Sequence, residues 1–292
     1  MKLSVVIPCY NVASVIGDQL EAVAQQSWSD EWEVIVADNG STDGSKEVVA
    51  RYEGRIPHLR VVDASDRRGA AHARNIGVQA ATGEAVVFCD ADDKVSPGWL
   101  AAMGRALSKY DFVACRYDTE TLNQDWTQVH NKLQHDDLWK LDWYPYLPHA
   151  GGSSLGVKRA VFEAVGGFDQ NLRYCQDTDF CCKVQLAGVA LHFVPDAVVQ
   201  VRYRTTYRGL YRQARNWGKM SVFLFKRYRV RRNRGLWRWG PYWRQWKWLL
   251  RKGLWENIGD AKGRARLIWQ LGWQIGLLRG SIKYRIPPPA PE

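Results

Sequence analysis

Three carboxylates crowd into Asp90-Ala91-Asp92-Asp93, directly after the apolar run Val86-Val87-Phe88-Cys89. A continuous apolar run reads as a buried strand. Ionised carboxylates at the end of such a strand repel one another unless a cation or a ligand lies among them. Hard divalent cations prefer oxygen ligands and commonly share their coordination with phosphates. The competing reading is that the acids cap the helix that follows Ser96-Pro97. Two further polar clusters end apolar stretches, Pro8-Cys9-Tyr10-Asn11 and Asp38-Asn39-Gly40-Ser41-Thr42-Asp43. Another carboxylate pair, Asp177 and Asp179, opens a helical pattern.

These clusters need a scaffold that brings them to one place. Strand patterns over 4–7, 33–37, 60–62, 85–89 and 112–115 alternate with helical patterns over 13–24, 45–52, 70–80 and 98–107. Alternation at this spacing predicts an α/β fold, a mostly parallel sheet flanked by helices on both faces. Ligands in such sheets bind beyond the carboxyl ends of the strands, where all three polar clusters fall. Over 118–150 the pattern dissolves among Trp126, His130, His135, Trp139, Trp143, Tyr144, Tyr146 and His149, which read equally as an acceptor-binding wall or as a loop packed by its own aromatics. Helices follow over 158–165 and from Gln176 to about Ala187, then last strands over 191–194 and 198–203.

The 292 residues accommodate one large α/β domain and an appendage. The N-terminal apolar stretch is too short for a secretory signal, and no segment approaches the ~20 apolar residues needed to span a bilayer. Six cysteines without Cys-x-x-Cys spacing read as reduced thiols of a cytoplasmic protein, not as disulfides or zinc ligands. The net charge of +11 is uneven: beyond about residue 200 Arg, Lys and Trp are dense and acids almost absent. That asymmetry points to an anionic partner surface. Three helical stripes are expected there: Tyr207, Leu210, Tyr211, Ala214, Trp217, Ser221 and Leu224; then Trp239, Tyr242, Trp243, Trp246 and Leu250, interleaved with Arg238, Arg244, Lys247, Arg251 and Lys252; then Leu267, Leu271, Ile275 and Leu278. Pro287-Pro288-Pro289 reads as a frayed end. Trp with Lys and Arg suits an anionic membrane surface. No recognition motif for nucleic acid accompanies the charge.

The ordered set Val5-Val6-Ile7-Pro8-Cys9-Tyr10-Asn11, Asp38-Asn39-Gly40-Ser41-Thr42-Asp43, Gly69 to Gly77 with Arg74-Asn75, Thr82-Gly83-Glu84, Asp90-Ala91-Asp92-Asp93, Gly166-Gly167-Phe168-Asp169 and Gln176-Asp177-Thr178-Asp179 resembles the family 2 glycosyltransferases with the GT-A (Rossmann-like) fold. The resemblance covers roughly 3–205. It implies an inverting transfer of one sugar from a nucleotide-diphospho-sugar, usually with a divalent metal, Mn or Mg. It assigns 1–205 to the transferase domain (1–117 for the nucleotide sugar, 118–205 for acceptor and catalysis) and leaves 206–292 as a basic amphipathic helical appendage. Pro8, Tyr10, Asn11, Asp38, Asn39, Arg74, Asn75, Asp90 and Gly152 are the donor-binding positions it implies. Asn39 stands where relatives often have a second acid. Asp92 and Asp90 fall at the metal, with Asp93 as a substitute. Asp177 falls at the general base, with Asp179 as the alternative. Where relatives carry a metal-binding His after the last strand, this chain has Gln200, Arg202, Tyr203 and Arg204, so Arg202 or Arg204 would meet the diphosphate. The acceptor is expected to be a carbohydrate or a lipid-linked precursor of the cell envelope, met at the inner face of the membrane. A nucleotidyltransferase would want a Gly-rich, Lys-containing loop after the first strand, which Pro8-Cys9-Tyr10-Asn11 does not supply. A binding module without catalysis would not need both Asp92 and Asp177.

Overall fold

A computed structural model describes residues 1–127, 134–141, 146–228, 239–253 and 259–289. His130, Trp143, Tyr144, Arg238 and the side chain of Lys252 lie outside the described residues. The chain divides into two compact units: 1–121, 132–139 and 149–202 form the first, and 122–131, 140–148 and 203–292 the second.

The first unit is built on strands β1 (Leu3–Cys9), β2 (Trp32–Asp38), β3 (Leu59–Asp63), β4 (Ala85–Phe88), β5 (Lys94–Val95) and β6 (Phe112–Asp118). Two short strands, β7 (Trp139–Lys140) and β8 (Pro148–His149), lie outside the main sheet, which β9 (Leu155–Lys158) and β10 (His192–Gln200) complete. Its order is β3-β2-β1-β4-β9-β6-β10-β5. The β3-β2-β1-β4 half is parallel, and β6 runs parallel to β10. Strand β9 is antiparallel to both β4 and β6, and β5 to β10. The helices are α1 (Ile16–Ala24), α2 (Ser45–Ala50), α3 (Ala70–Ala80), α4 (Trp99–Leu107), α5 (Arg159–Ala164) and α6 (Gln176–Leu186).

The mostly parallel sheet agrees with the strand–helix alternation. Strand β9 does not follow from it, because Leu-Gly-Val-Lys is short and glycine weakens strand propensity. The glycine is there for space: a Cβ on Gly156 would lie 2.9 Å from Met103 Cε and 3.0 Å from Val113 Cγ2. The two expected final strands are the single strand β10, whose register breaks between Val194 and Val198. Pro195 falls in that break, and proline cannot donate to a strand ladder.

A cluster of phenylalanines fills the space between β4, β6 and α5–α6. Phe168 is fully buried, its ring centroid 4.5 Å from that of Phe180 and 5.4 Å from that of Phe88. Gly166 and Gly167, at φ +73° and +62°, turn the chain into this core. Asn75 clamps the turn, accepting from Phe168 N at 3.0 Å and donating to Phe168 O at 2.9 Å. The Gly-Gly-Phe stretch and Asn75 are thus one packing device. Glu33 in β2 plays a similar part: it is buried, accepts from the Ser4 and Thr82 hydroxyls at 2.7 and 2.8 Å, and pairs with Arg60 at 2.9 Å.

The second unit carries α7 (Tyr207–Tyr228), α8 (Trp239–Trp248) and α9 (Ala261–Tyr284), with a π-helical turn over Leu249–Gly253. Helices α7 and α9 run in the same direction in close contact. A Cβ on Gly272 would lie 2.7 Å from Tyr211 O, on Gly276 2.3 Å from Arg215 O, and on Gly280 2.8 Å from Lys219 O. The glycines therefore form the buried face of α9, and the expected Leu267, Leu271, Ile275 and Leu278 stripe is half-buried. Flat backbone packs more closely than leucine ridges allow. On α7 the buried face is Leu210, Ala214, Gly218, Val222, Leu224 and Phe225. In the Trp stripe only Tyr242 is buried. Trp239, Trp243 and Leu250 are exposed, as is Trp248. The chain does not fray at the prolines: Ile286 and Pro288 are buried. Among the described residues no helix is long and apolar enough to cross a membrane.

Candidate active site

The carboxyl ends of β1, β2 and β4 are neighbours. In the ladders Cys9 lies opposite Asp38, and Val6 opposite Phe88. The first polar clusters therefore share one sheet edge, as expected, but most of their polar groups are spent on holding loops together. Asn11, at φ +51°, accepts from Thr42 N at 2.8 Å, and its own N–H donates to Ser41 Oγ at 3.1 Å. Asp38 is buried and accepts from Gly40 N and Ser41 N, each at 3.2 Å. Asp43 accepts from Ala13 N at 2.9 Å. Asn39 is fully engaged: its amide donates to Ala64 O and Arg67 O at 2.5 and 2.8 Å and accepts from Gly69 N at 2.8 Å. Three of the expected donor-binding amides, Asn11, Asn39 and Asn75, thus bind backbone, because buried N–H and C=O groups at loop crossings must find partners. These bonds fix the loops at the carboxyl ends of the strands, and Asn11 remains exposed.

Tyr10 is 50% exposed, and its ring lies beneath the Arg68 guanidinium at 4.5 Å. Pro8 is half-buried one position before Cys9. Arg68 donates to Asn39 O at 2.9 Å. Arg68, which is not among the residues expected from the sequence, carries one signal there, a guanidinium just before Gly69 at the mouth of α3.

The acidic turn after β4 is braced from both sides. Gln19 of α1 donates to Asp90 O at 3.1 Å and accepts from Val95 N at 2.9 Å. Arg202, just past β10, donates its N–H to Asp93 Oδ1 and its Nε to Asp92 O, both at 2.9 Å, and its Nη2 to Asp18 at 2.9 Å. Its guanidinium is thus engaged with the turn and with α1, while Arg204, the other residue expected at the diphosphate, is exposed. Asp93 is buried. Burial, then the charges of Asp92 and Asp90, push its carboxyl well above the usual range. Asp90 and Asp92 stay partly open.

Arg74 of α3 joins this turn to the proposed base. Its side chain is 3% exposed and donates from Nη2 to Asp90 Oδ1 at 2.5 Å. Burial lowers its pKa, but the negative charges of Asp90 and then Asp177 raise it overall. Its Nε and Nη1 have no hydrogen-bond partner among the described residues. Asp177, half-buried in the first turn of α6, accepts from Thr178 N at 2.8 Å and from Gly152 N at 3.2 Å. Burial raises its pKa, opposed by Thr178 N–H and by Arg74. Gly152 explains its own identity: a Cβ there would lie 2.8 Å from Arg74 Cζ. Asp90, Arg74, Gly152 and Asp177 thus form one continuous contact. The alternative base, Asp179, is fully buried.

A divalent cation fits part of this set. Asp90 and Asp92 are hard oxygen donors on one turn, both partly open. Among the described residues, however, no three His, Cys, Asp or Glu side chains converge as ligands. Two carboxylates would leave most of the coordination to phosphate and water, a pattern common for Mg²⁺.

The mixed, mostly parallel sheet, with helices on its faces and carboxylates along one edge, is a GT-A-type fold. Mannosyltransferase PcManGT from Pyrobaculum calidifontis, solved in complex with GDP-Man and Mn²⁺, superposes with a TM-score of 0.64 at 21% identity over 96% of this chain and 86% of that one. The TarS 1-349 structure from S. aureus, in complex with UDP-GlcNAc, gives 0.55 at 18% identity over 98% of this chain and 92% of that one. The family model for glycosyl transferase family 2 matches residues 4–166, more than half of the chain, which belongs to that family. Glycosyltransferase AglE of Haloferax volcanii is 27% identical over 79% of this chain and 77% of its own length. The uncharacterized glycosyltransferase YibD of Escherichia coli (strain K12) is 36% identical over 43% of this chain, and the match spans 34% of that relative.

Proposed function

We propose that the protein is an inverting glycosyltransferase that moves one sugar from a nucleotide-diphospho-sugar to an acceptor hydroxyl, with Asp177 as general base. The observation that carries this reading is the Asp90–Arg74–Gly152–Asp177 contact. It couples the edge suited to a diphosphate with a carboxylate suited to take a proton. The acceptor O–H gives its proton to Asp177 as its oxygen bonds to the anomeric carbon. The bond from that carbon to the diphosphate oxygen breaks on the opposite face, and the nucleoside diphosphate leaves with the electron pair. A carboxylate whose pKa is raised is a stronger base than a free one. Arg74 keeps it ionised from behind and holds Asp90 in place. Tyr10 and Arg68 border the crevice where a base would stack, and Pro8 and Asp38 lie beside them.

Asp90 and Asp92 are the residues that would hold a divalent cation, Mn²⁺ or Mg²⁺. Such a cation, when bound, neutralises charge on the departing diphosphate. AglE and PcManGT are named as glycosyltransferases, and the PcManGT complex holds GDP-Man and Mn²⁺. The acceptor is a carbohydrate or lipid-linked precursor of the cell envelope, met at the cytoplasmic face of the membrane, where exposed Trp239, Trp243 and Trp248 favour the interface. Nucleoside diphosphate release should be measured across a panel of donors, with and without Mn²⁺. Turnover of at least one donor is expected, and it should fall about 10²–10⁴-fold in Asp177→Asn while that donor still raises the melting temperature. Release by the variant at the native rate refutes the assignment of the base.

A further inference from the structure

We propose that α7 and α9 form a docking surface for the phosphate headgroups of an anionic phospholipid bilayer, centred on Arg215, Lys219, Arg279 and Lys283. This deepens the membrane-surface reading above and rests on it. Arg215 and Lys219 are four positions apart on α7, as are Arg279 and Lys283 on α9, so each pair shares a helix face. The glycine contacts bring the pairs together: Gly276 faces Arg215 O, and Gly280 faces Lys219 O. With no side chain between the backbones, the flanking cations are held close. Burial and then the positive charges of Lys283, Arg279 and Arg215 lower the pKa of Lys219.

No carboxylate compensates this cluster among the described residues. Neither α7 nor α9 contains Asp or Glu. The acids described in the second unit are Asp125, paired with Lys262 at 2.8 Å, and Asp260, which caps α9 by accepting from Gly263 N at 2.6 Å. Arg215 and Lys283 rest instead over the rings of Tyr211 and Tyr284 at 5.8 and 5.5 Å. Like charges gathered by packing are unfavourable alone, and a surface bearing many negative charges reverses that sign. Ile282, beside Lys283, is 70% exposed. A bilayer interface gives such a side chain somewhere to bury, which a polyanion such as nucleic acid does not.

Co-sedimentation of the full chain with vesicles tests this, using pure phosphatidylcholine and phosphatidylcholine mixed with phosphatidylglycerol. Wild type should bind only the anionic vesicles. Each cation near such a surface is worth about a fivefold change in affinity. Arg279→Gln with Lys283→Gln, both solvent-exposed and so tolerant of substitution, should weaken binding about 25-fold. Adding Lys219→Gln should bring the loss to about a hundredfold, and Arg279→Lys with Lys283→Arg should bind like wild type. Native-like binding by the two-site Gln variant overturns the assignment of this surface and leaves the membrane reading standing. No binding of wild type to anionic vesicles overturns both and leaves the transferase reading untouched. Release from vesicles by millimolar inorganic phosphate, or tighter binding to duplex DNA than to vesicles at the same salt, also overturns the proposal.

Discussion

Replacing Asp177 by Asn separates chemistry from folding, because the two effects have opposite expected sizes. The carboxylate accepts from Thr178 N and Gly152 N through different oxygens. The amide keeps one acceptor, so one hydrogen bond is weakened, at a cost of about 0.5–1.5 kcal/mol. Against this, the half-buried charge disappears. The folded-state pKa of Asp177 is raised, so in the wild type the unfolded chain releases the proton before the folded one does. Stability therefore falls as pH rises from the ordinary carboxylate value through the raised one, and stays lower above it. The Asn variant lacks that loss. At neutral pH its melting temperature should stay within a few degrees of wild type, and the difference should shift in favour of wild type in acid. Turnover should fall about 10²–10⁴-fold, or about 3–5 kcal/mol of barrier. The acidic limb of the wild-type rate profile should lie above the usual carboxylate range and be missing from any residual activity of the variant. Parallel measurement of nucleoside diphosphate release and thermal unfolding reads both. A variant that loses activity only in proportion to lost folded protein would refute a chemical role.

Asn39→Asp should destabilise this chain by about 2–5 kcal/mol, since a carboxylate would face the carbonyls of Ala64 and Arg67 where an amide now donates; chemical denaturation reads the change. Gly152→Ala should cut turnover at least tenfold, because its methyl would lie 2.8 Å from the Arg74 guanidinium and displace it from Asp90, an overpacking cost of about 1–3 kcal/mol. Adding Arg74→Lys, whose head is smaller, should restore part of the lost stability, and strictly additive losses would count against a steric cause. Glu33 has its folded pKa lowered against the cost of burial, by the Ser4 and Thr82 hydrogen bonds and then by Arg60. Its contribution is therefore present above the ordinary carboxylate pKa and lost as pH falls through the lowered one. Glu33→Gln should flatten the acid side of the stability curve, as followed by melting temperature against pH.

Periodicity was enough to read the parallel half of the sheet. In β2 all seven residues are buried and the stretch from Val34 to Ala37 is wholly apolar, a run that reads as a buried strand. It was not enough for β9, because Gly156 is chosen by contact with Met103 and Val113, which lie about 50 and 40 residues away in the chain. The same limit applies on α9: a leucine stripe at helical spacing competes for the partner with a glycine stripe on another face, and only the geometry of α7 decides in favour of glycine.

The site shows the deeper limit. Residue type reveals that a position can make hydrogen bonds but not whether those bonds are already used. Asn11, Asp38, Asn39 and Asn75 share the polar character of a ligand-binding edge, and their partners are loop backbone 25 to 93 residues distant or, for Asp38, the next turn. Arg74 has the opposite history. It reads as a donor contact, and the structure places it as a buried cation bonded to Asp90 after β4 and within the field of Asp177 in the first turn of α6, with Nε and Nη1 unpartnered among the described residues. A guanidinium left incompletely bonded in so dry a place costs free energy unless a ligand completes it. The polar groups that fold this edge are therefore the satisfied ones, and the unsatisfied arginine between Asp90 and Asp177 is where the chain's own bonding stops short.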